Sequence, residues 1–292
     1  MSVTVLSLQS HVVQGTVGNS IAVPMMRAMG VRAWGMPTAL LSNHNGRSSV
    51  AGIPIDSEQI DAMVSALDAN GELKHVDAVL SGYLTPRTGP AVLRTVERCR
   101  AHHPDTMWIC DPVMADMTPD GHIRAYAPDE TVAWMKQAVH RADVVVPNLA
   151  ELGILTGTEP RTLDEAIDAA HSLTGPRFVV VTSVPYREDD GDAIAMIGVM
   201  GERTILTHGP LLDNHFNGSG DLTTAVLTAE LVKGTSPDVA LGKAAGVVHD
   251  VLKRTATHPG DELDWWPEDA IAQPWKTVIL APNAPSRVGR SS

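Results

Sequence analysis

The chain reads Asn217-Gly218-Ser219-Gly220-Asp221 where a predicted β-hairpin gives way to a long predicted helix. Two glycines around a small polar residue let consecutive backbone N–H groups point into one concavity, and a helix N-terminus adds partial positive charge there. The turn therefore predicts an anion-binding site that needs no basic side chain. The carboxylate of Asp221 would repel a bound anion, so its place beside this site suggests a function, such as accepting a proton from an attacking hydroxyl group. The alternative is a plain tight turn in which Asp221 caps the helix.

On both sides of this turn, short apolar runs alternate with longer stretches of helical periodicity. The runs are apolar on both faces, as expected for strands covered on two sides. They predict central strands at residues 3–8, 76–80, 107–110, 144–146 and 178–181. Helices are predicted over residues 19–29, 57–68, 89–102, 129–140, 162–172, 220–231 and 238–253. The alternation predicts an α/β fold with three layers, in which helices flank a mostly parallel central sheet.

A pair of strands before the Gly-rich turn has a different pattern. Residues 193–200 and 204–207 are joined by Gly201-Glu202-Arg203, which predicts a β-hairpin at a sheet edge. The length of 292 residues is compatible with one or two domains, and no linker of domain scale interrupts the chain. We therefore predict one domain over residues 1–272, followed by a Pro- and Arg-containing tail over residues 273–292.

Composition and charge exclude several classes of protein. Hydrophobic residues make up 43% of the chain and charged residues 19%, which is typical of a globular protein rather than a disordered one. The net charge of −12 argues against nucleic acid or an anionic membrane as the main partner. Cys99 and Cys110 form neither a CxxC pair nor a disulfide framework, and we interpret them as buried thiols in a reducing compartment. With no leader or membrane-spanning stretch in the sequence, we expect a cytoplasmic protein.

Polar segments follow two of the predicted central strands. They read Asp111-Pro112-Val113-Met114-Ala115-Asp116 and Val146-Pro147-Asn148-Leu149-Ala150-Glu151. Ligands of open α/β sheets bind beyond the carboxyl ends of the strands, so carboxylates there are placed to hold Mg²⁺ or to orient a nucleotide phosphate. The alternatives are an Asp-Pro turn in the first segment and a capping box between Asn148 and Glu151 in the second. Two polar loops, residues 9–19 and 41–46, have the groups to bind a polar heterocycle.

Taken in order along the chain, these motifs resemble those of the pyridoxal kinases in the ribokinase-like superfamily, up to about residue 270. The resemblance rests on Ser10-His11, Ser42-Asn43-His44, Ser81-Gly82-Tyr83, Asp111-Pro112-Val113-Met114, Pro147-Asn148 and Gly218-Ser219-Gly220-Asp221. The Gly-x-Gly-Asp motif marks only the superfamily, and Asp-Pro-Val-Met is shared with hydroxymethylpyrimidine kinases. The Gln-Ser-His-Val-Val and Ser-Asn-His segments are more discriminating and point to vitamin B6.

The resemblance implies an ATP-dependent phosphorylation of the 5′-hydroxymethyl group of pyridoxal, and of pyridoxine and pyridoxamine as further candidates, in vitamin B6 salvage. Asp221 would then be the catalytic base, and the amides of Gly218, Ser219 and Gly220 would stabilise the transferring phosphoryl group. The implied substrate-binding residues are Ser10, His44, Asn45, Tyr83, Tyr126 and Asp221.

The resemblance also implies ATP and Mg²⁺ as the partners of the reaction, a monovalent cation such as K⁺, and a homodimer. The implied metal residues are Asp111, Asp116 and Glu151. The implied nucleotide contacts are Asp111, Val146, Asn148, Glu151, Thr182, Ser183, Gly209, Pro210, Leu211 and Leu212. Two Gly- and polar-rich segments, residues 41–52 and 119–124, are predicted to close over the substrates as lids.

Four departures from the family pattern keep alternatives open. Ala115 stands where a glycine is usual, Asn45 where threonine is common, and Asn217 where Lys, Arg or Thr often precedes the Gly-rich turn. Thr223-Thr224 replaces the more usual aromatic and small pair. One alternative is a hydroxymethylpyrimidine kinase, which would not need the Ser-Asn-His loop. The other is a non-catalytic vitamin B6-binding paralogue that retains the pocket.

Overall fold

The computed structural model describes residues 3–118, 120–188, 191–212 and 216–280. Its α-helices are α1 (Asn19–Ala28), α2 (Ser57–Ala69), α3 (Gly89–His102), α4 (Asp129–Ala138), α5 (Leu149–Thr156), α6 (Leu163–Ser172), α7 (Ser219–Val232) and α8 (Pro237–Thr255). Its strands are β1 (Thr4–Val12), β2 (Arg32–Leu41), β3 (Gly52–Pro54), β4 (Ala78–Ser81), β5 (Met107–Cys110), β6 (Ala115–Met117), β7 (Ile123–Ala125), β8 (Val144–Val145), β9 (Phe178–Glu188), β10 (Gly191–Met200), β11 (Arg203–Pro210) and β12 (Val278–Leu280).

Ten of these strands form one sheet in the order β12-β11-β10-β9-β8-β5-β4-β1-β2-β3. The six strands from β9 to β2 in this order pair in parallel. The strands outside them pair antiparallel, with β10, β11 and β12 on one side and β3 on the other. The mostly parallel sheet predicted from the sequence is confirmed, and the carboxyl ends of its parallel strands share one edge.

The core lies on the two faces of this sheet, in agreement with three layers. One face packs on α1, α7 and α8, and the other on α2 to α6. Successive side chains of each strand point alternately to the two faces of the sheet. In β4, for example, Leu80 packs in the first cluster and Val79 in the second. Both are fully buried, which is why these strands are apolar at every position.

The Gly-rich turn enters α7 through a left-handed residue. Gly218 has a φ of 86°, and a Cβ at this position would lie 1.9 Å from the carbonyl oxygen of Thr16. Only glycine meets both conditions at low cost. The helix that follows is buried on nearly every side, from Leu222 to Ala229. The turn is therefore held between the β1–α1 loop and a rigid helix of the core.

Several elements differ from the sequence-based prediction, and the short strands β3, β6 and β7 were not predicted at all. Strand β2 was not predicted, because Gly35 and Pro37 interrupt its apolar run; Pro37 is tolerated since β2 pairs with β3 only from Ala39 to Leu41. Helix α5 has only eight residues and was anticipated through its cap alone. The predicted hairpin is β10–β11, but β12 lies outside it, so the hairpin is not the sheet edge.

Residues 273–280, which the sequence assigned to a tail, thus add a strand to the domain. The rest of that tail, residues 281–292, and Pro119 of a predicted lid lie outside the described residues. Among the described residues, no helix has the length and apolar character needed to cross a lipid bilayer.

Candidate active site

One cavity of about 870 Å³ opens at the carboxyl ends of the parallel strands. It collects every site residue predicted from the sequence except Gly209. Those residues are Ser10, His44, Asn45, Tyr83, Asp111, Asp116, Tyr126, Val146, Asn148, Glu151, Thr182, Ser183, Pro210, Leu211, Leu212, Gly218, Ser219, Gly220 and Asp221. The volume lies within the range of small-molecule sites and is large enough for two ligands end to end.

Asp221 lies in the first turn of α7, where the Gly-rich turn meets the cavity. Burial raises the pKa of its carboxyl group to about 6, although the backbone N–H of Gly18, which donates a hydrogen bond to it, acts in the opposite direction. A carboxylate with a pKa near neutrality is suited to take a proton from an alcohol as that alcohol attacks. The backbone amides at the start of α7 offer an anion site next to it.

Asp111 is 5% exposed and lies directly after β5. Burial and the negative charge of Asp221 raise its pKa to about 8, against the effect of the hydrogen bond that Thr224 Oγ1 donates over 2.8 Å. The two aspartates are therefore neighbours that oppose each other's ionisation.

Glu151 forms a capping box at the start of α5. Its carboxylate accepts hydrogen bonds from the backbone N–H groups of Asn148, over 2.8 Å, and Met114, over 2.9 Å. Asn148 Oδ1 in turn accepts from the N–H of Glu151. Burial and the charge of Asp111 raise the pKa of Glu151 well above its ordinary value. The cap and a ligand role do not exclude each other, because each carboxylate oxygen has a second lone pair.

The donor set at this end of the cavity fits Mg²⁺. Asp111 and Glu151 are buried acidic groups, and the charges of Asp111 and of Asp116, which also lines the cavity, raise the pKa of Glu151. Among the described residues that line the cavity, Arg124 is the single Lys or Arg. Hard oxygen ligands with uncompensated negative charge are what Mg²⁺ binds together with the phosphates of a substrate.

The other polar end of the cavity is formed by loops that follow β1 and β2. His44 is 5% exposed, and its Nδ1 accepts a hydrogen bond from the N–H of Gly46 over 3.1 Å. Its Nε2 then carries the proton and lies 3.5 Å from both Asp261 Oδ2 and Glu262 Oε1. Arg47 contacts the same two carboxylates, at 2.7 and 3.3 Å.

Glu262 joins this loop to the one that follows β1. Its Oε2 accepts hydrogen bonds from the N–H and hydroxyl groups of Thr16, over 2.8 and 3.1 Å. Asn217 Nδ2 donates to Asp261 across 3.4 Å. We call Asp261 and Glu262, with their partners His44 and Arg47, the loop region.

Comparisons with known proteins identify the family. A model of the phosphomethylpyrimidine kinase family matches residues 22–263. Pyridoxal kinase PdxY of Pseudomonas putida (strain GB-1) is 37% identical over 278 residues, which cover 92% of this chain and 94% of that protein. PdxY of Deinococcus radiodurans is 34% identical and covers 86% of both chains. The chain belongs to the pyridoxal kinase family.

Solved structures of the same family have the same fold. Pyridoxal kinase from Leishmania donovani, in complex with ADP and pyridoxamine, matches with a TM-score of 0.87 at 29% identity and covers 95% of this chain and 99% of its own. The pyridoxal kinase of Entamoeba histolytica, at 24% identity and a TM-score of 0.84, shares the fold. The predicted ribokinase-like architecture is confirmed by these neighbours.

Three of the four departures from the pyridoxal kinase pattern have hydrogen-bond partners in the structure. Thr224 holds Asp111, as described above, and Thr223 Oγ1 donates to the carbonyl of Ser219 over 2.7 Å. The carbonyl of Ala115 accepts a hydrogen bond from Asn148 Nδ2 over 2.8 Å. Asn217 replaces a residue that is often cationic, and it contacts Asp261 of the loop region.

Several residues of the cavity were not predicted from the sequence. They include Ile194, Met196 and Phe216, together with a group from α8 and the C-terminal segment that we call the apolar end: Val248, His249, Leu252 and Trp275. Gly209, a predicted nucleotide contact, is the predicted site residue that the cavity does not include, and its contact with the nucleotide stays a prediction. Gly209 does not line the cavity, because a Cβ at this glycine would lie 1.9 Å from the indole ring of Trp275, which covers it. The alternating pattern of β10 signals Ile194 and Met196, whereas no local signal marks Trp275.

Proposed function

We propose that this pyridoxal kinase family member transfers the γ-phosphoryl group of ATP to the 5′-hydroxymethyl oxygen of pyridoxal, giving pyridoxal 5′-phosphate and ADP. The observation that carries the proposal is the position of Asp221. Its carboxyl group, with a pKa of about 6, lies beside the backbone amides at the start of α7, in a cavity with room for both substrates. A base beside an anion site is the arrangement that phosphoryl transfer to an alcohol requires.

In the proposed step, Asp221 takes the proton of the hydroxymethyl group while the oxygen of that hydroxymethyl group bonds to the γ-phosphorus. The bond from the γ-phosphorus to the β,γ-bridging oxygen of ATP breaks at the same time. The amides of Gly218, Ser219 and Gly220 donate to the phosphoryl oxygens and stabilise their charge. Mg²⁺, when bound, neutralises phosphate charge. Asp111, Asp116 and Glu151 would hold it, together with the triphosphate contact of Asn148.

We assign the pyridine ring to the end of the cavity that contains Ser10, His44 and Asn45, with Tyr83 and Tyr126 as further contacts; Tyr126 lies near Glu151 and Asp116. The nucleotide then lies toward Val146, Thr182, Ser183 and the segment Pro210–Leu211–Leu212. Pyridoxine and pyridoxamine are further candidate substrates, since pyridoxal kinase from Leishmania donovani forms complexes with ADP and either compound.

A second candidate function is hydroxymethylpyrimidine phosphorylation, which the phosphomethylpyrimidine kinase family match favours. Competition between pyridoxal and hydroxymethylpyrimidine, with MgATP and purified protein, separates the two. We expect a higher kcat/KM for pyridoxal, measured by ADP release and by the absorbance of pyridoxal phosphate. A higher kcat/KM for hydroxymethylpyrimidine would overturn the assignment, as would pyridoxal binding without ADP release, the behaviour of a non-catalytic paralogue.

We further propose a homodimer, a K⁺ requirement, lid closure by residues 41–52 and 119–124, and a cytoplasmic location. The reducing compartment is supported by Cys99 and Cys110, which are both free and buried. Limited proteolysis with and without pyridoxal and an ATP analogue tests the lids, and unchanged cleavage there would exclude closure.

A further inference from the structure

The C-terminal segment, residues 272–280, crosses α8 and is fixed along its length. The N–H of Trp275 donates to the carbonyl of Gly242 over 2.8 Å, and Thr207 Oγ1 donates to the carbonyl of Lys276 over 3.0 Å. Lys243 Nζ donates to the carbonyl of Ala272. Strand β12 then pairs with β11, with Val278 opposite Leu206. The segment is therefore an ordered part of the domain and holds Trp275 at a defined place.

Three glycines make the space that Trp275 occupies. A Cβ at Gly209 of β11 would lie 1.9 Å from Cη2 of the Trp275 ring. A Cβ at Gly242 would lie 2.2 Å from the carbonyl oxygen of Trp275, and one at Gly246 would lie 2.4 Å from that of Gln273. Gly209 belongs to strand β11, whereas Gly242 and Gly246 lie four residues apart on one face of α8. The groove they form admits the segment only because none of them has a side chain.

The indole ring forms part of the cavity wall at the apolar end. It lies against the imidazole of His249, with ring centroids 4.7 Å apart and planes at 52°. Val248 and Leu252, from α8, line the same end of the cavity. Nε2 of His249 is buried without a hydrogen-bond partner among the described residues.

The proposed phosphoryl transfer fixes which ligand meets this wall. The γ-phosphate must reach Asp221 and the Gly-rich turn, and the acceptor ring occupies the end with Ser10 and His44. The nucleobase of the phosphoryl donor therefore lies at the apolar end of the cavity. A flat aromatic base gains most from an aromatic neighbour there, because both rings lose water on contact.

We propose that Trp275 is a specificity-determining residue of the phosphoryl-donor site, where its indole ring contacts the purine base of the nucleotide beside His249. The proposal rests on the proposed function for the direction in which the nucleotide lies. It gives the C-terminal segment a role in donor selection, in addition to its place in the sheet.

The test compares Trp275→Ala and Trp275→Phe with the wild-type chain. Trp266→Ala is the matched control, because Trp266 is 56% exposed in the same part of the chain and does not line the cavity. Calorimetry with MgADP measures nucleotide binding directly, and steady-state kinetics with MgATP, MgCTP and pyridoxal separate the two sites. Thermal melting of each variant checks that the fold is retained.

We expect Trp275→Ala to weaken MgADP binding and raise the KM for MgATP by about tenfold. The loss should be smaller for MgCTP, whose base has a smaller face, and the KM for pyridoxal should change less than about twofold. Trp275→Phe should recover most of the loss, since it keeps a ring in the groove. If Trp275→Ala does not fold, the test uses Trp275→Leu, which keeps an apolar side chain but no ring and must then raise the KM for ATP more than the KM for CTP.

Unchanged MgADP binding by a folded Trp275→Ala would overturn the proposal. Equal losses for ATP, CTP and pyridoxal would also overturn it, since they would indicate a purely structural residue. Calorimetry distinguishes this failure from that of the proposed function. A wild-type chain that binds MgADP through Trp275 but does not phosphorylate pyridoxal would contradict the proposed function alone.

Discussion

The two polar ends of the cavity are held together by different forces. Asp111, Glu151 and Asp221, here called the transfer centre, are positioned by backbone N–H groups and by a core threonine hydroxyl. In the loop region, side-chain ion pairs at the surface add to the backbone N–H groups of Thr16 and Gly46; Arg47, for example, is 41% exposed and pairs with Asp261. Surface pairs of this kind contribute about 0–1 kcal/mol each, whereas a buried charged group without its partners costs much more. The proposed chemistry therefore lies on the part of the cavity held by buried hydrogen bonds, and the proposed pyridoxal end on the part that also relies on surface ion pairs.

The largest expected effect on activity comes from removing the proposed base of the transfer centre. We expect Asp221→Asn to lower kcat by about a thousandfold or more, because proton transfer is lost while the shape of the side chain is kept. MgADP binding and the melting temperature should stay close to those of wild type. The exposed Asp105→Asn variant is the control in the same kinetic assay. Turnover near the wild-type rate would show that Asp221 is not the base.

A second substitution separates the helix cap of Glu151 from its ligand role. Glu151→Gln keeps an oxygen for the cap but loses the negative charge, so we expect the Mg²⁺ concentration for half-maximal activity to rise roughly tenfold. Glu165→Gln is the matched control, because Glu165 forms the equivalent capping box at α6, away from the cavity. A Mg²⁺ titration of kcat/KM measures the effect. Equal Mg²⁺ dependence in the two variants would remove Glu151 from the metal site.

The loop region should respond more weakly. Glu262→Ala removes the hydrogen bonds to Thr16 and the contacts to His44 and Arg47, and we expect the KM for pyridoxal to rise about fivefold. The value of kcat should change less than about twofold, because the transfer centre is untouched. Glu268→Ala, at an exposed position nearby, provides the comparison. A large loss of kcat with an unchanged KM would mean that the two ends are not separable.

The last expected effect concerns the stability of the protein as a function of pH rather than its activity. The folded-state pKa of Asp111, about 8, and that of Asp221, about 6, lie above the ordinary value of 3.8. The folded chain therefore holds more protons than the unfolded chain, and the contribution of these groups is full below pH 4 and lost as the pH rises to about 8. We expect the melting temperature of the ligand-free protein to fall over this range, and the fall to be smaller in Asp111→Asn. An identical pH profile in the two proteins, measured by calorimetry, would contradict the raised pKa of Asp111.

Local motifs allowed the transfer centre to be predicted from the sequence. The turn at Gly218 and the cap between Asn148 and Glu151 are encoded within a few residues, so their geometry follows from neighbouring backbone and side chains. The hydrogen bond from Thr224 to Asp111 joins residues 113 apart, and that from Thr16 to Glu262 joins residues 246 apart. No local pattern determines such pairs. The place of Trp275 was not predictable for the same reason, because its groove combines glycines from β11 and α8.

The two outer strands of the sheet, β3 and β12, have consequences for how copies of this protein can meet. Each has only three residues, and β3 ends at Pro54, which has no N–H to donate. Short strands and proline at an edge discourage the main-chain pairing by which sheets of separate molecules join and aggregate. If this chain forms the homodimer that we predict, the subunits should therefore associate through helices, loops or a sheet face, and not by continuing one sheet into the next.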